Sequence, residues 1–355
     1  MPRSSSWRQR RYLRRLLMLA MLSSRVDMAL VLVARLLSLC KRPPRVRCDP
    51  GARLDLHRID PGAFYRLFRV NTVDDMLRLA DALRIPDTAR GVEALALLLY
   101  RLAYPCRLVE IQIALVAWSE AKISSVINCV LDDLFARYKN KIAFDETMLS
   151  KERCKLYADT LERKGCPAPP HFFGFIDGTV KSVCRPVIFE DILYTGYKRT
   201  HAIKFQGVMT PCGLMASFFG PFPGTHHDAR MYHESRVEGH INRLDVPDGY
   251  MLYGDGAYPW GPRLRRPFRQ PPAGSAKRRH NYLMSKFRQS VEWGFGKLFT
   301  IFAFLDFGKN LKVLWQPVGK LCLVACLLCN CHTCLYGCET SDFTGLDPPE
   351  LEEYV

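Results

Sequence analysis

Two stretches far apart in the chain share one grammar. "HFFGFIDGT" (171 to 179) and "GYMLYGDGAYP" (249 to 259) are each an apolar run that stops at an aspartate followed by glycine. Short apolar runs bounded by turn residues read as buried strands. Each places a carboxylate, Asp177 or Asp255, where its strand is expected to end. A single such aspartate is read equally well as the cap of a tight turn. Two of them raise a second reading, because functional groups of open sheets collect at the carboxyl ends of strands.

The rest of the chain supports a layered α/β fold. Breaks rich in Pro and Gly stand at "KRPPRVRCDPG" (41 to 51) and "GCPAPP" (165 to 170). Four organisational units are expected: a basic, poorly ordered extension over 1–50, a helical domain over 51–165, a catalytic-type α/β domain over 171–338 and an acidic tail over 339–355. In the helical part, "TVDDMLRLADALRI" opens with Thr72 as N-cap and ends at Pro86, and "GVEALALLLYRLAYP" is apolar all round, as a buried bundle helix would be. "LVEIQIALVAW" and "AKISSVINCVLDDLFARYKN" are joined at Ser119 to Ala121, which reads as a helix-turn-helix or as an ordinary helical hairpin. After Pro170 come strands at "HAIKFQGVMT" and "GLMASFFGPF", then a helix over "HHDARMYHESRVEGHI" capped by Asp228. A basic, Pro-rich insertion and a helix over "SKFRQSVEWGFGKLF" follow. Strands running into helices in this order give a mixed sheet with flanking helices.

A third carboxylate, Glu292, lies on that last helix beside the apolar stripe Val291, Phe295, Leu298 and Phe299. Gly294 and Gly296 cost such a helix about 1 kcal/mol each against Ala, which makes sense where something approaches closely. Arg288 stands one turn before Glu292, so a simple helical ion pair is the plain alternative. Three carboxylates at one place repel unless cations neutralise them, and hard oxygen ligands select Mg²⁺ or Mn²⁺. Two such ions clamp the attacking and leaving oxygens of a phosphoryl transfer.

The charge is uneven in a way that names a partner. Of the net +16, residues 1–50 carry +10 and residues 261–290 carry +9, with the remainder at −3. The second patch is Arg263, Arg265, Arg266, Arg269, Lys277, Arg278, Arg279, Lys286 and Arg288, with no acid among them. Concentrated positive charge favours a polyanion, so these nine are the expected contacts to DNA phosphates; two solvated loops are the plain alternative. The tracts "RQRRYLRR" and "KRPPRVR" suit nuclear import. The apolar run at Leu16 to Leu22 is too short to span a bilayer, and Asp27 and Arg35 interrupt the next, so no membrane role is expected for either.

The blocks "FIDGT", "YKRTHAIKFQGV" with "HHDARM", "GDGAYP" and "RQSVEWGFGKL", in this order, resemble those of the PIF/Harbinger-type DDE transposases. The spacing also resembles theirs, with 78 residues from Asp177 to Asp255 and 37 from there to Glu292. The resemblance runs from about residue 60 to the end. It implies an RNase H-like domain, a metal-dependent endonuclease with strand-transfer chemistry at transposon ends, and two Mg²⁺ or Mn²⁺ ions. It implies Asp177, Asp255 and Glu292 as catalytic and metal-ligating residues, with Asp228 as a further ligand or orienting group. The N-cap role remains the alternative for Asp228. It also implies a separately encoded Myb/SANT-like DNA-binding partner and a homo-oligomer. Cys212 departs from the acid common at that turn, read as a surface change, and residues 1–50 have no counterpart.

Rival readings attach to other residues. "CLVACLLCNCHTCLYGC" holds six cysteines and His332, a zinc pattern or a set of small core residues. His226 and His227 flank Asp228 as ligands or as a solvated pair. The competing functional class is a recruited, catalytically silent DNA- or chromatin-binding protein that keeps the same fold as a scaffold.

Overall fold

The structure is a computed structural model that describes residues 54–85, 89–115, 118–186, 190–313 and 315–355. The basic extension 1–50, with its import tracts and apolar runs, lies outside the described residues. From Arg53 to Val355 the chain is one compact unit.

Helices α1 (Pro61–Phe68), α2 (Val73–Ala82), α3 (Ala89–Ala103), α4 (Leu108–Ala114), α5 (Glu120–Ala143) and α6 (Lys151–Arg163) come first. The Thr72 hydroxyl accepts from the Asp75 N–H at 3.0 Å and starts α2, which ends at Ala82, with Arg84 left-handed (φ 49°) before Pro86. Helix α3 is almost wholly buried over 92–103 because α1, α2 and α5 all pack on it. Ser119 caps α5, whose buried stripe Ile123, Ile127, Leu131, Leu134, Tyr138 and Ile142 belongs to a helix packed against later parts of the fold.

The second part runs β1 (His171–Ser182), α7 (Glu190–Leu193), β2 (Tyr194–Thr195), β3 (Thr200–Met209), β4 (Met215–Pro223), α8 (Asp228–Ser235), α9 (Val237–Arg243), β5 (Tyr250–Tyr253), β6 (Leu264–Arg265), α10 (Ala276–Ile301), α11 (Val318–Tyr336), α12 (Glu339–Thr344) and α13 (Leu351–Tyr354). These strands make one mixed six-stranded sheet in the order β2-β3-β1-β5-β6, with β4 also paired to β3. Pairs β1–β3, β2–β3 and β3–β4 are antiparallel, and β1–β5 and β5–β6 are parallel. Helix α6 packs on β1 and β5, α10 on β1 and β3, and α5 and α11 on β4. The protein is thus a mixed α/β fold, its sheet flanked by helices.

Several local expectations are corrected. β1 does not stop at Asp177 but continues to Ser182, because β3 supplies backbone partners up to Ser182↔Ala202. The helix expected over 226–241 breaks at Arg236, which takes the left-handed conformation (φ 53°) between α8 and α9. The basic insertion contributes a sheet strand, β6, and α10 begins at Ala276 behind its cap Ser275, well before "SKFRQ". Cys212 is fully buried, its sulfur 3.5 Å from the Tyr157 hydroxyl, rather than on a surface turn.

Helix α11 is long and apolar enough to cross a membrane, with mean hydropathy 1.7 over its window, but 67% of that window is buried inside this unit. Its one central polar residue explains its place. Asn330 accepts from the Met215 N–H and donates to the Met215 carbonyl and the Tyr354 hydroxyl, each at 2.9–3.0 Å. Buried, satisfied amides of this kind lock one packing, since an orphaned partner costs about 1–3 kcal/mol. The acidic end is also docked: Arg78 pairs with Glu350 and Glu352, and Arg153 with Glu353.

Candidate active site

The parallel pair β1–β5 ends at Phe175↔Tyr253. Two residues beyond that pair come Asp177 on β1 and Asp255 on the turn after β5, so both carboxylates emerge at the same end of the parallel ladder. Asp177 therefore lies inside a strand bonded to β3, opposite Gly207, yet past the last residue that β5 covers. The uncovered edge is where a crevice forms in sheets of this kind.

Helix α8 brings a third carboxylate to the same place. Its N-cap is His227, so Asp228 is the first helical residue and not the cap. A Cβ on Gly178 would stand 2.9 Å from Asp228 Oδ1 and 3.0 Å from the Met231 methyl. The glycine after Asp177 is thus what lets α8 close on β1.

The electrostatics follow from this crowding. Burial, opposed by the Gly178 N–H and Arg288 and reinforced by Asp255 and Asp228, pushes the Asp177 carboxyl up from 3.8 to about 6. Asp228 is raised by burial and then by Asp255, against Lys204 and His227. Tyr258 is raised well above its usual value by burial and by all three aspartates. Its buried hydroxyl has no hydrogen-bond partner among the described residues.

Glu292 joins this group through a cation. On α10, Arg288 Nη1 donates to Asp177 Oδ2 at 2.8 Å, and Nη2 donates to Glu292 Oε1 at 2.7 Å. The helical Arg288–Glu292 pair expected as the plain alternative is present, and the same guanidinium also reaches the strand aspartate. Asp177 Oδ1 accepts from the Gly178 N–H at 2.8 Å, and Asp255 Oδ1 from the Ala257 N–H at 2.9 Å. Among the described residues, no three His, Cys, Asp or Glu side chains are placed to hold one ion.

The two helix glycines part company. A Cβ on Gly294 would lie 1.8 Å from the Met209 methyl, so this glycine seats α10 on β3. Gly296 meets nothing within 4 Å, and both glycines border a cavity of about 500 Å³ shared with Lys297 and His332.

The nine basic residues also divide. Arg263 is buried, its guanidinium donating to Asn242 Oδ1 and to the carbonyls of Pro247 and Val246, each at 2.7 Å. It ties the turn before β5 to β6 and is not a surface charge. Arg288 is committed to the two carboxylates. Arg265 and Arg266 hold carbonyls of the 256–264 segment, while Arg269, Lys277, Arg278, Arg279 and Lys286 are exposed.

Residues 176–330 match the family described as DDE superfamily endonuclease. That endonuclease match takes in Asp177, Asp228, Asp255, Glu292 and Arg288 and begins within β1, leaving helices α1 to α6 outside it. No curated protein and no solved structure matches the chain.

The other candidate ligands behave as core or surface groups. Cys322, Cys326, Cys329 and Cys331 are buried in α11, and burial pushes Cys322, Cys329 and Cys334 up to about 12. They are not grouped to hold an ion among the described residues. Burial lowers His332 to about 3, and its ring packs against Tyr336. His226 stands 3.5 Å from Glu234, and its carbonyl accepts from Lys204 at 2.5 Å. Lys204, Tyr258 and the double role of Arg288 are site features that the sequence pattern does not single out. The only available signal was their position inside or beside the "AIKF", "GDGAYP" and "FRQSVE" blocks.

Proposed function

We propose that this chain is a divalent-metal-dependent DNA endonuclease of the PIF/Harbinger transposase type. Its catalytic part has RNase H-like character, and it acts in the nucleus on the ends of a mobile element. The observation that carries the reading is the meeting of Asp177, Asp228 and Asp255 at the end of the parallel ladder, within the span of the endonuclease match. The chemistry of the donor set, rather than its present spacing, suits a hard cation. It is all carboxylate oxygen, burial and neighbouring aspartates raise Asp177 and Asp228, and an unpartnered hydroxyl stands beside it.

Asp177, Asp228 and Asp255, with Glu292 from α10, are the residues that would hold the metal. A bound pair of Mg²⁺ or Mn²⁺ ions supplies Lewis acidity toward the phosphodiester. The protein's own contribution is placement. Gly178 lets α8 approach, Gly294 seats α10, and Arg288 keeps Glu292 and Asp177 within one guanidinium of each other. Released from these carboxylates, Arg288 has the planar donors that suit a phosphate. The exposed cations at the start of α10 give backbone contacts without sequence readout. Choice of target falls to a Myb/SANT-like partner, and the active form is a homo-oligomer.

A specific observation favours a second reading. Arg288 already neutralises Asp177 and Glu292, as would suit a silent DNA- or chromatin-binding scaffold. The deciding experiment is Mn²⁺-dependent nicking of supercoiled plasmid at low salt by the wild type and by Asp255→Asn. Nicking by the wild type alone supports the endonuclease. If neither nicks, even with a DNA-reading partner added, the scaffold reading replaces it.

A further inference from the structure

The segment between Asp255 and α10 carries an aromatic row that the proposed phosphodiester chemistry does not use. Trp260 is 48% exposed and lies five residues beyond Asp255. Its ring packs on Phe268 with centroids 5.8 Å apart, Phe268 meets His280 at 5.5 Å, and His280 meets Tyr253 at 6.3 Å in the core. Phe268 is pinned through both backbone groups: its N–H donates to Asn281 Oδ1 at 3.0 Å, and its carbonyl accepts from Asn281 Nδ2 at 2.9 Å. The exposed indole is therefore the outer end of a braced stack rather than the tip of a loose loop.

Cations are interleaved with these rings. The Arg265 guanidinium lies 5.0 Å from the Trp260 centroid, and the Lys277 ammonium 5.4 Å from that of Phe268. Arg266 donates to the Gly256 carbonyl at 2.9 Å, which joins this platform to the turn that carries Asp255. Phosphates alone would call for the cations but not for the indole. An apolar protein partner would call for the indole but not for the cations. Rings alternating with positive charge fit a polynucleotide strand whose bases are free to stack.

We propose that Trp260, flanked by Arg265, is a stacking site for an unpaired base of a DNA strand held beside the carboxylate cluster. This rests on the DNA-cleavage reading and adds the form of the substrate: the strand at the site is locally unpaired.

The test is binding of the full chain in EDTA, so that cleavage plays no part. The probes are a blunt 20-bp duplex and the same duplex with a four-nucleotide overhang carrying 2-aminopurine. The overhang should bind about ten-fold tighter than the blunt end, with quenching of 2-aminopurine emission on the unmutated protein. Trp260→Ala should abolish that preference and leave blunt-duplex binding in place, while Trp260→Phe retains most of it. Tyr197→Ala, at a residue 94% exposed, should change nothing. Equal binding of the two probes by the wild type, or an overhang preference that survives Trp260→Ala, would overturn the stacking site alone. Failure of the wild type to bind either probe would also overturn the stacking site, while plasmid nicking with a DNA-reading partner added still decides the DNA-cleavage reading.

Discussion

Replacing Asp177 by asparagine should make the protein more stable at neutral pH, even though it removes a proposed catalytic group. Its side chain is only 16% exposed and faces Asp228 and Asp255, and its carboxyl is raised from 3.8 to about 6. At about 1.4 kcal/mol per pH unit of displacement, holding that carboxylate ionised costs the fold about 3 kcal/mol. The native state holds the proton more firmly than the unfolded chain. Stability is therefore greatest below about pH 4, falls as pH rises toward about 6, and stays reduced above that. Asparagine mimics the protonated acid and keeps an oxygen for the Gly178 N–H, while Arg288 keeps Glu292. Urea unfolding at pH 7.5 should show Asp177→Asn ahead by up to about 3 kcal/mol, or about 5 °C in Tm, with the two proteins converging near pH 4. Mn²⁺ should raise the Tm of the wild type and do little for the variant. A variant less stable at pH 7.5, or a gap that does not change between pH 4 and 7.5, would refute the argument that burial, with Asp255 and Asp228 beside it, holds the Asp177 carboxyl up.

Other substitutions separate the parts of the site. Arg288→Met removes the counter-charge from a mostly buried Asp177 and should cost about 2 kcal/mol at pH 7.5 by urea unfolding, with less loss in the Asp177→Asn background. Gly207→Ala places a Cβ 2.8 Å from the Phe295 ring and should destabilise by about 1–3 kcal/mol, lowering nicking as α10 shifts. Arg263→Ala leaves four acceptors without their buried donor and should cost about 3 kcal/mol in thermal unfolding, whereas exposed Arg278→Ala should stay within about 0.5 kcal/mol. Arg278→Ala should instead flatten the salt dependence of duplex binding by about one charge.

Much of this could be read along the chain because it is set by near neighbours. The Thr72 cap, the apolar face of α3 and the stripe Val291, Phe295, Leu298 and Phe299 depend on residues within a turn or two, and they stand where their periodicity put them. The Arg288–Glu292 pair is likewise a matter of one helical turn. The pairing of two Asp-Gly strand endings, Asp177 and Asp255, was visible for the same reason, since each is a local break in an apolar run.

Long-range pairing decided the rest. Where β1 ends depends on β3, so Asp177 proved to be within a strand, and it lies past the cover of β5 because that strand stops at Tyr253. Arg263 and Arg278 look alike in sequence, yet only the packing of the turn before β5 buries the first. Cys212 sits in a turn that reads as surface, yet it is fully buried with its sulfur against the hydroxyls of Tyr157 and Thr210. Above all, the pattern gave no sign that Arg288 would reach across to Asp177. Residue type and spacing determined which groups could carry charge, cap a helix or fill a core. Only the crossing of α10 over β1 and β3 decided which charges meet, because Coulomb and hydrogen-bond forces act at distances that 111 residues of intervening chain do not specify.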